Sequence, residues 1–275
     1  MFKDITFGQY IDSNSVLHRL DPRTKSLLLI VNIVVLFLAK NFYSLAFSVL
    51  FLLFLIILSK VPLSMYLKNI KAIWIIIAFT AILNLFLSNK NSEVLVSFWK
   101  ITITYAGLSR AVFLTVRIIV LILISSILTY TTTPNDLTDA IESLLKPLKF
   151  IGLKNAVHTV ALMMTIALRF IPTLVDETNK IINAQKSRGA DFENGKFYEK
   201  IKALVPILVP LLISSIRRAY DLAEAMECRC YNNGIGRVKM KQLKYRYNDL
   251  TALVINIVFI CGVIALNILL KQVNI

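Results

Sequence analysis

Two arginines are spaced as though offered to a partner. Arg188 lies in AQKSRGADF and Arg229, 41 residues later, in AMECRCYNN; each follows an alanine by four positions. A guanidinium is a planar fork of five donors, suited to bidentate capture of a carboxylate on another protein. The small neighbours in Ser187-Arg188-Gly189 and Cys228-Arg229-Cys230 let such a surface come close. A plainer role exists, because a cation at a helix C-terminus complements the dipole and can bond orphan carbonyls. That role leaves the repetition without a reason.

Other chemistry is sparse. His18 and His158 have no second histidine nearby and are expected to be structural. Cys228 and Cys230 offer two sulfurs where a tetrahedral zinc site needs four ligands, so no metal is expected, and the three cysteines give no disulfide framework. Asp136, Asp139 and Glu142 share a helix face but lack a further ligand, which points to capping and solvated roles. There is no GxxxxGK[ST], HExxH, GxSxG or Gly-rich dinucleotide loop. No catalytic residue and no cofactor are therefore expected, and any ATP must be hydrolysed on another chain.

The elements that carry the arginines follow from composition. The 275 residues are 57% hydrophobic with a mean hydropathy of +0.69, which indicates a polytopic membrane protein. A formal charge of +15 would suggest nucleic acid in a soluble protein. In a membrane protein it marks the side facing the anionic cytoplasmic leaflet, so lipid rather than nucleic acid is the expected partner. Nothing near the N-terminus has the pattern of a cleaved signal peptide.

Apolar stretches at 43–59, 72–88, 111–130 and 250–270 suit bilayer crossings, and 26–59 reads as a tight helical hairpin broken at Lys40-Asn41. Asp21 is placed to cap the first helix and Pro22 to occupy its first position. The excess of Lys and Arg over segments 1–25, 60–71 and 133–248 sets the N-terminus in the cytoplasm and the C-terminus outside. Arg110 and Arg117 share a face of the fourth span. Snorkelling of Arg110 and internal pairing of Arg117 are expected in preference to contact with another subunit.

Residues 133–248 hold 18 Lys/Arg against 11 Asp/Glu, yet carry long apolar tracts. The tract at 156–175 is interrupted by His158, Arg169 and Pro172, and that at 203–215 by Pro206 and Pro210, which suits helices at the membrane interface. Leu212, Ile216, Ala219, Ala223, Met226 and Cys230 recur at steps of three and four, as do Ile171, Leu174, Thr178 and Ile181. Two long helices are predicted to pack along these rows. The first is expected to end near Arg188, stopped by Gly189, and the second near Arg229, running into YNNG. The fold class is thus an all-α polytopic membrane protein, with about five transmembrane helices and about three amphipathic coupling helices. Its expected divisions are 1–25, 26–132, 133–248 and 249–275.

Four stretches carry a resemblance: LHRLDPRTK (17–25), PNDLTDAIESLLKPLKFIGL (134–153), MMTIALRFIPTLVDETNKIINAQKSRGADF (163–192) and SSIRRAYDLAEAMECRCY (214–231). In these the chain resembles the transmembrane T component of energy-coupling factor transporters, a branch of ATP-binding cassette importers for vitamins and metal ions. The resemblance implies a multi-pass protein of a prokaryotic cell membrane with two kinds of protein partner: a pair of cytoplasmic ABC-type ATPases and a membrane-embedded substrate-binding S component. It also implies that X-Arg-X signatures on two coupling helices dock into the ATPases. Here those signatures are Ser187-Arg188-Gly189 and Cys228-Arg229-Cys230; the second departs from the small or glycine neighbours commoner in the family. A self-contained secondary transporter is the main competing class, but it calls for a matched pair of interrupted spans that this sequence lacks. A membrane-embedded enzyme is less favoured still.

Overall fold

Asp21 and Pro22 start the first helix. In a computed structural model describing residues 10–86, 94–98, 101–146, 154–190, 197–231 and 243–270, the Asp21 carboxylate accepts the Arg23 N–H at 2.9 Å and Pro22 opens α1 (Pro22–Leu38). A short turn at Lys40-Asn41 leads to α2 (Phe42–Ser59), then α3 (Leu63–Phe86) and an antiparallel pair, β1 (Val94–Phe98) and β2 (Ile101–Thr104). Next come α4 (Tyr105–Thr131), α5 (Pro134–Leu144), α6 (Lys154–Ser187), α7 (Phe197–Cys228) and α8 (Tyr247–Leu269). The strand pair is the sole non-helical element among the described residues. By length and composition α2, α3, α4, α8 and the stretch Thr159–Ser187 of α6, whose apolar tract was expected at the interface, are able to cross a membrane, whereas α1, the first half of the expected hairpin, is not among these candidate spans. This is a polytopic α-helical membrane fold.

Two compact units are present: one holds α1–α4, the strand pair and α8, the other α6 and α7, with α5 at the division. In the first, Leu45, Leu52 and Ile56 of α2 meet Leu36 of α1 and Phe113, Val120, Leu123 and Ile127 of α4 in a continuous core. Tyr66 and Tyr130 meet edge to face at 5.3 Å, and the Tyr66 hydroxyl lies 3.1 Å from Ser59 Oγ. Gly262 of α8 admits α2: a Cβ there would stand 2.8 Å from the Phe47 ring.

One end of this unit is closed by a polar knot. The Asp249 carboxylate, 2% exposed, accepts the Asp21 N–H at 2.7 Å, the Thr24 hydroxyl at 2.9 Å and the Arg246 N–H at 2.7 Å. It caps α8 and at the same time holds the start of α1. Lys25 Nζ donates to the Thr131 carbonyl at 2.9 Å, tying in the end of α4. His18 is locked by Ser15 Oγ at 2.6 Å and the Ile11 carbonyl at 2.9 Å, the structural part expected of it, and burial lowers its pKa. The side chain of His158 lies outside the described residues.

Burial drives the Lys25 pKa down to about 8, against partial support from Asp136, Asp249 and Asp21. A depressed pKa favours the neutral amine in the folded state. The stability contributed by this group is therefore complete above about pH 10.5 and falls away as pH drops through about 8. Wild type is expected to gain thermal stability relative to Lys25→Met as pH rises from about 7 to 10; a constant difference between the two melting curves would contradict this.

At the opposite end, Arg117 donates to the Ala39 carbonyl and covers the Phe113 ring at 4.6 Å, the internal pairing expected for it, while Arg110 is exposed. Asn267 bonds the Leu38 carbonyl, Lys40 N–H and Ser44 hydroxyl, and Asn41 Nδ2 donates to the Leu270 carbonyl at 2.9 Å. The α1–α2 turn thus sits beside the middle of α4, well short of Tyr105. Along α4, Arg117 is about 18 Å from that helix start at 1.5 Å per residue.

The prolines interrupt less than their chemistry suggests. α6 runs 34 residues through Pro172, and α7 runs 32 through Pro206 and Pro210, each continuous where a break was expected. All three prolines are exposed, and a helix can pass through a proline by bending where the bond to the fourth preceding carbonyl is lost.

Candidate functional site

The arms α6 and α7 pack on each other, but the contact row on α7 is displaced from the apolar one. Ile171, Leu174, Thr178 and Ile181 of α6 are half-buried, as the spacing predicts. On α7, Ile207 is buried and Leu211, Ser214, Arg218, Leu222 and Met226 are half-buried. The predicted row points outward instead, with Leu212 62% and Ile216 49% exposed and Ala219, Ala223 and Cys230 also exposed. Only Met226 belongs to both. The inner row is the more polar because α6 answers it: Glu177 takes Arg218 Nη2 at 2.6 Å on one carboxylate oxygen and the Ser214 hydroxyl on the other. Hydropathy selects the greasier stripe, and on this helix that stripe is the outer one.

Both arms end in the same backbone device. In α6 the Ala190 N–H returns to the Gln185 carbonyl at 3.0 Å and the Gly189 N–H to Lys186 at 3.0 Å, with Gly189 at φ +86°. In α7 the Tyr231 N–H returns to Met226 at 3.0 Å and the Cys230 N–H to Glu227 at 2.8 Å, with Cys230 at φ +53°. These are Schellman closures. Arg188 and Arg229 occupy equivalent cap positions, each preceded by the last helical residue, Ser187 or Cys228, and followed by the left-handed residue. The second arm ends where it was expected to, near Arg229, with the left-handed residue at Cys230 rather than within YNNG. A non-glycine side chain strains that position but does not forbid it.

This geometry weakens the plain reading of the arginines. Backbone donors already occupy terminal carbonyls that a guanidinium would otherwise serve. Arg188 and Arg229 are exposed, and among the described residues neither meets an acidic partner. The Ser187 hydroxyl turns back to the Asn183 carbonyl at 3.1 Å. Cys228 and Cys230 are exposed free thiols.

The two left-handed positions make a paired prediction. Gly189→Ala, with open space for the new Cβ, is expected to weaken the α6 closure by about 1 kcal/mol, and Cys230→Gly to strengthen the α7 closure by a similar amount. Hydrogen exchange at Ala190 and Tyr231 should accelerate and slow respectively by about fivefold. Equal exchange in wild type and both variants would contradict the closures.

The remaining candidates are accounted for locally. Asp136 and Glu142 are half-buried, with Asp136 close enough to support the Lys25 charge. Among the described residues no three His, Cys, Asp or Glu side chains are grouped to hold a metal ion.

The comparisons with known proteins agree on a family. A family model described as cobalt transport protein matches residues 13–241. The energy-coupling factor transporter transmembrane protein EcfT of Clostridium kluyveri is 49% identical over 262 residues, covering 95% of this chain and 96% of that one. The chain belongs to the T-component family of energy-coupling factor transporters. Two more T components bear the same name: that of Ruminiclostridium cellulolyticum, 47% identical over 96% of this chain and 97% of its own, and that of Bacillus subtilis, 40% identical over 96% and 98%. As a T component the chain is a non-catalytic transmembrane subunit of a transporter. Arg188 and Arg229 both fall inside the matched region.

Proposed function

We propose that Arg188 and Arg229 dock the T component onto two cytoplasmic ABC-type ATPases, one arm to each, and that α6 and α7 carry the ATPases' movement to a membrane-embedded S component. The observation that carries this reading is the identical closure of both arms, which presents each guanidinium with no local capping duty. A carboxylate on the ATPase is the matching acceptor, held by two parallel N–H···O bonds. ATP binding draws the two ATPases together. The arms then move only so far as docking is stronger in one ATPase state than in the other.

The outward stripe on α7, including Leu212, Ile216 and the 73% exposed Tyr220, supports a membrane-embedded partner. An apolar face of that extent calls for lipid or protein cover. The orientation follows from charge: the polar knot joins the start of α1, the end of α4 and the start of α8 at one end, where Arg19, Arg23 and Lys25 cluster. That end faces the cytoplasm of a prokaryotic cell membrane, with 1–25 and the coupling module 133–248 on the same side, the four-helix region 26–132 in the membrane, and 249–275 returning the C-terminus to the outside. The cargo is a vitamin or other micronutrient bound by the S component.

The test is purification of the tagged full chain from its native membrane, with identification of the retained subunits. Two ATPase copies and a small membrane protein are expected, together with ATP-dependent uptake after reconstitution. Ion-driven uptake by the chain alone would overturn the proposal.

A further inference from the structure

Glu177 stands eleven residues before Arg188, and Arg218 stands eleven residues before Arg229. Along each helix that separation is about 16 Å at 1.5 Å per residue. The two residues are joined at 2.6 Å, with Ser214 completing the carboxylate's bonding. Where they meet, then, the two arms are joined by a directional, charge-assisted contact placed equally far from both tips.

The aliphatic residues on the same rows give no such directionality. Leu174 of α6 and Leu222 of α7 are half-buried there, and dispersion and burial have no preferred angle and so tolerate sliding. A carboxylate with one oxygen on a guanidinium and the other on a hydroxyl does have one. The pair is only half-buried, so its contribution to stability is modest, as for other ion pairs that solvent reaches. Its capacity is to specify register.

We propose that Glu177, Arg218 and Ser214 form the pin that fixes α6 against α7, so that a displacement imposed at either tip is shared by the other arm. These are positioning residues, acting through the arms on the docking arginines. The inference rests on the reading of Arg188 and Arg229 as docking points. Without the pin, each arm follows its own ATPase and the aliphatic contact slips. Hydrolysis continues while delivery to the membrane partner fails.

The experiment uses the complete transporter in proteoliposomes and measures substrate uptake per ATP hydrolysed. Glu177→Ala and Arg218→Ala are each expected to keep both ATPases bound while lowering that ratio about tenfold, and the exchanged variant Glu177→Arg with Arg218→Glu to restore it to within about threefold of wild type. Single variants with the wild-type ratio would overturn the pin, as would an exchanged variant no better coupled than the singles. Should the singles fail to assemble, the exchanged variant carries the test. Recovery of both assembly and coupling supports the pin; failure to recover either overturns it. The docking reading fails by a separate sign, retention of both ATPases when Arg188 and Arg229 are removed together, and the pin would fall with it.

Discussion

Replacing Arg188 and Arg229 together with alanine is expected to strip the ATPases from the T component and to bring ATP-driven uptake to background. Truncating one partner of a buried, hydrogen-bonded charge pair costs about 2 kcal/mol or more. Loss at both tips therefore weakens docking by about a thousandfold. Either single variant is milder, because the surviving arm keeps its ATPase close and the second contact becomes effectively intramolecular. Arg→Lys keeps the charge but loses the planar fork, so it should fall between wild type and alanine at each tip. The measurements are ATPase retention during purification and uptake in vesicles. A double alanine variant that holds both ATPases and transports normally would remove the functional assignment of the arms while leaving the fold untouched.

The second large effect belongs to stability. Asp249→Ala leaves the Asp21 and Arg246 N–H groups and the Thr24 hydroxyl without their shared acceptor in a site almost closed to solvent. Breaking a buried charged network in this way costs about 3–5 kcal/mol, a large part of the roughly 5–15 kcal/mol that holds an ordinary domain. At about 2–4 °C per kcal/mol for a chain of this size, melting in detergent should fall by about 10 °C. Asp249→Asn keeps one acceptor oxygen and should lose about half as much. An unchanged melting temperature for the alanine variant would show that the knot contributes nothing to the unit it closes.

How far the sequence carries depends on which force shaped each element. The spans at α2, α4 and α8 were legible within a few residues because bilayer thickness and apolar content are one-dimensional properties. Asp21 and Pro22 were legible because a cap is a local device. α3 begins earlier than its apolar run suggests, at Leu63, since Lys68 and Lys71 sit on its first turns, where long cationic side chains reach back to the interface. The arms' ends near Arg188 and Arg229 were legible from their stop signals, but their continuity through Pro172, Pro206 and Pro210 was not, because a proline removes a helical hydrogen bond and reads as a break. Glu177 and Arg218 were missed for a related reason. A charge in a helical row reads as solvent-facing until its partner is known, and that partner is 41 residues away. Cys230 was missed because left-handed backbone is usually announced by glycine or asparagine, and here it falls on neither.

The turn at Lys40-Asn41 has a consequence for the lipid around it. Because it lies beside Arg117, the α1–α2 hairpin stops about 18 Å short of the start of α4. Acyl chains of uniform length cannot match both. The bilayer is expected to dip toward the α1–α2 turn, or to admit water there, at a cost of a fraction of a kcal/mol per ångström of mismatch. A locally thinned leaflet beside that hairpin is the expected result.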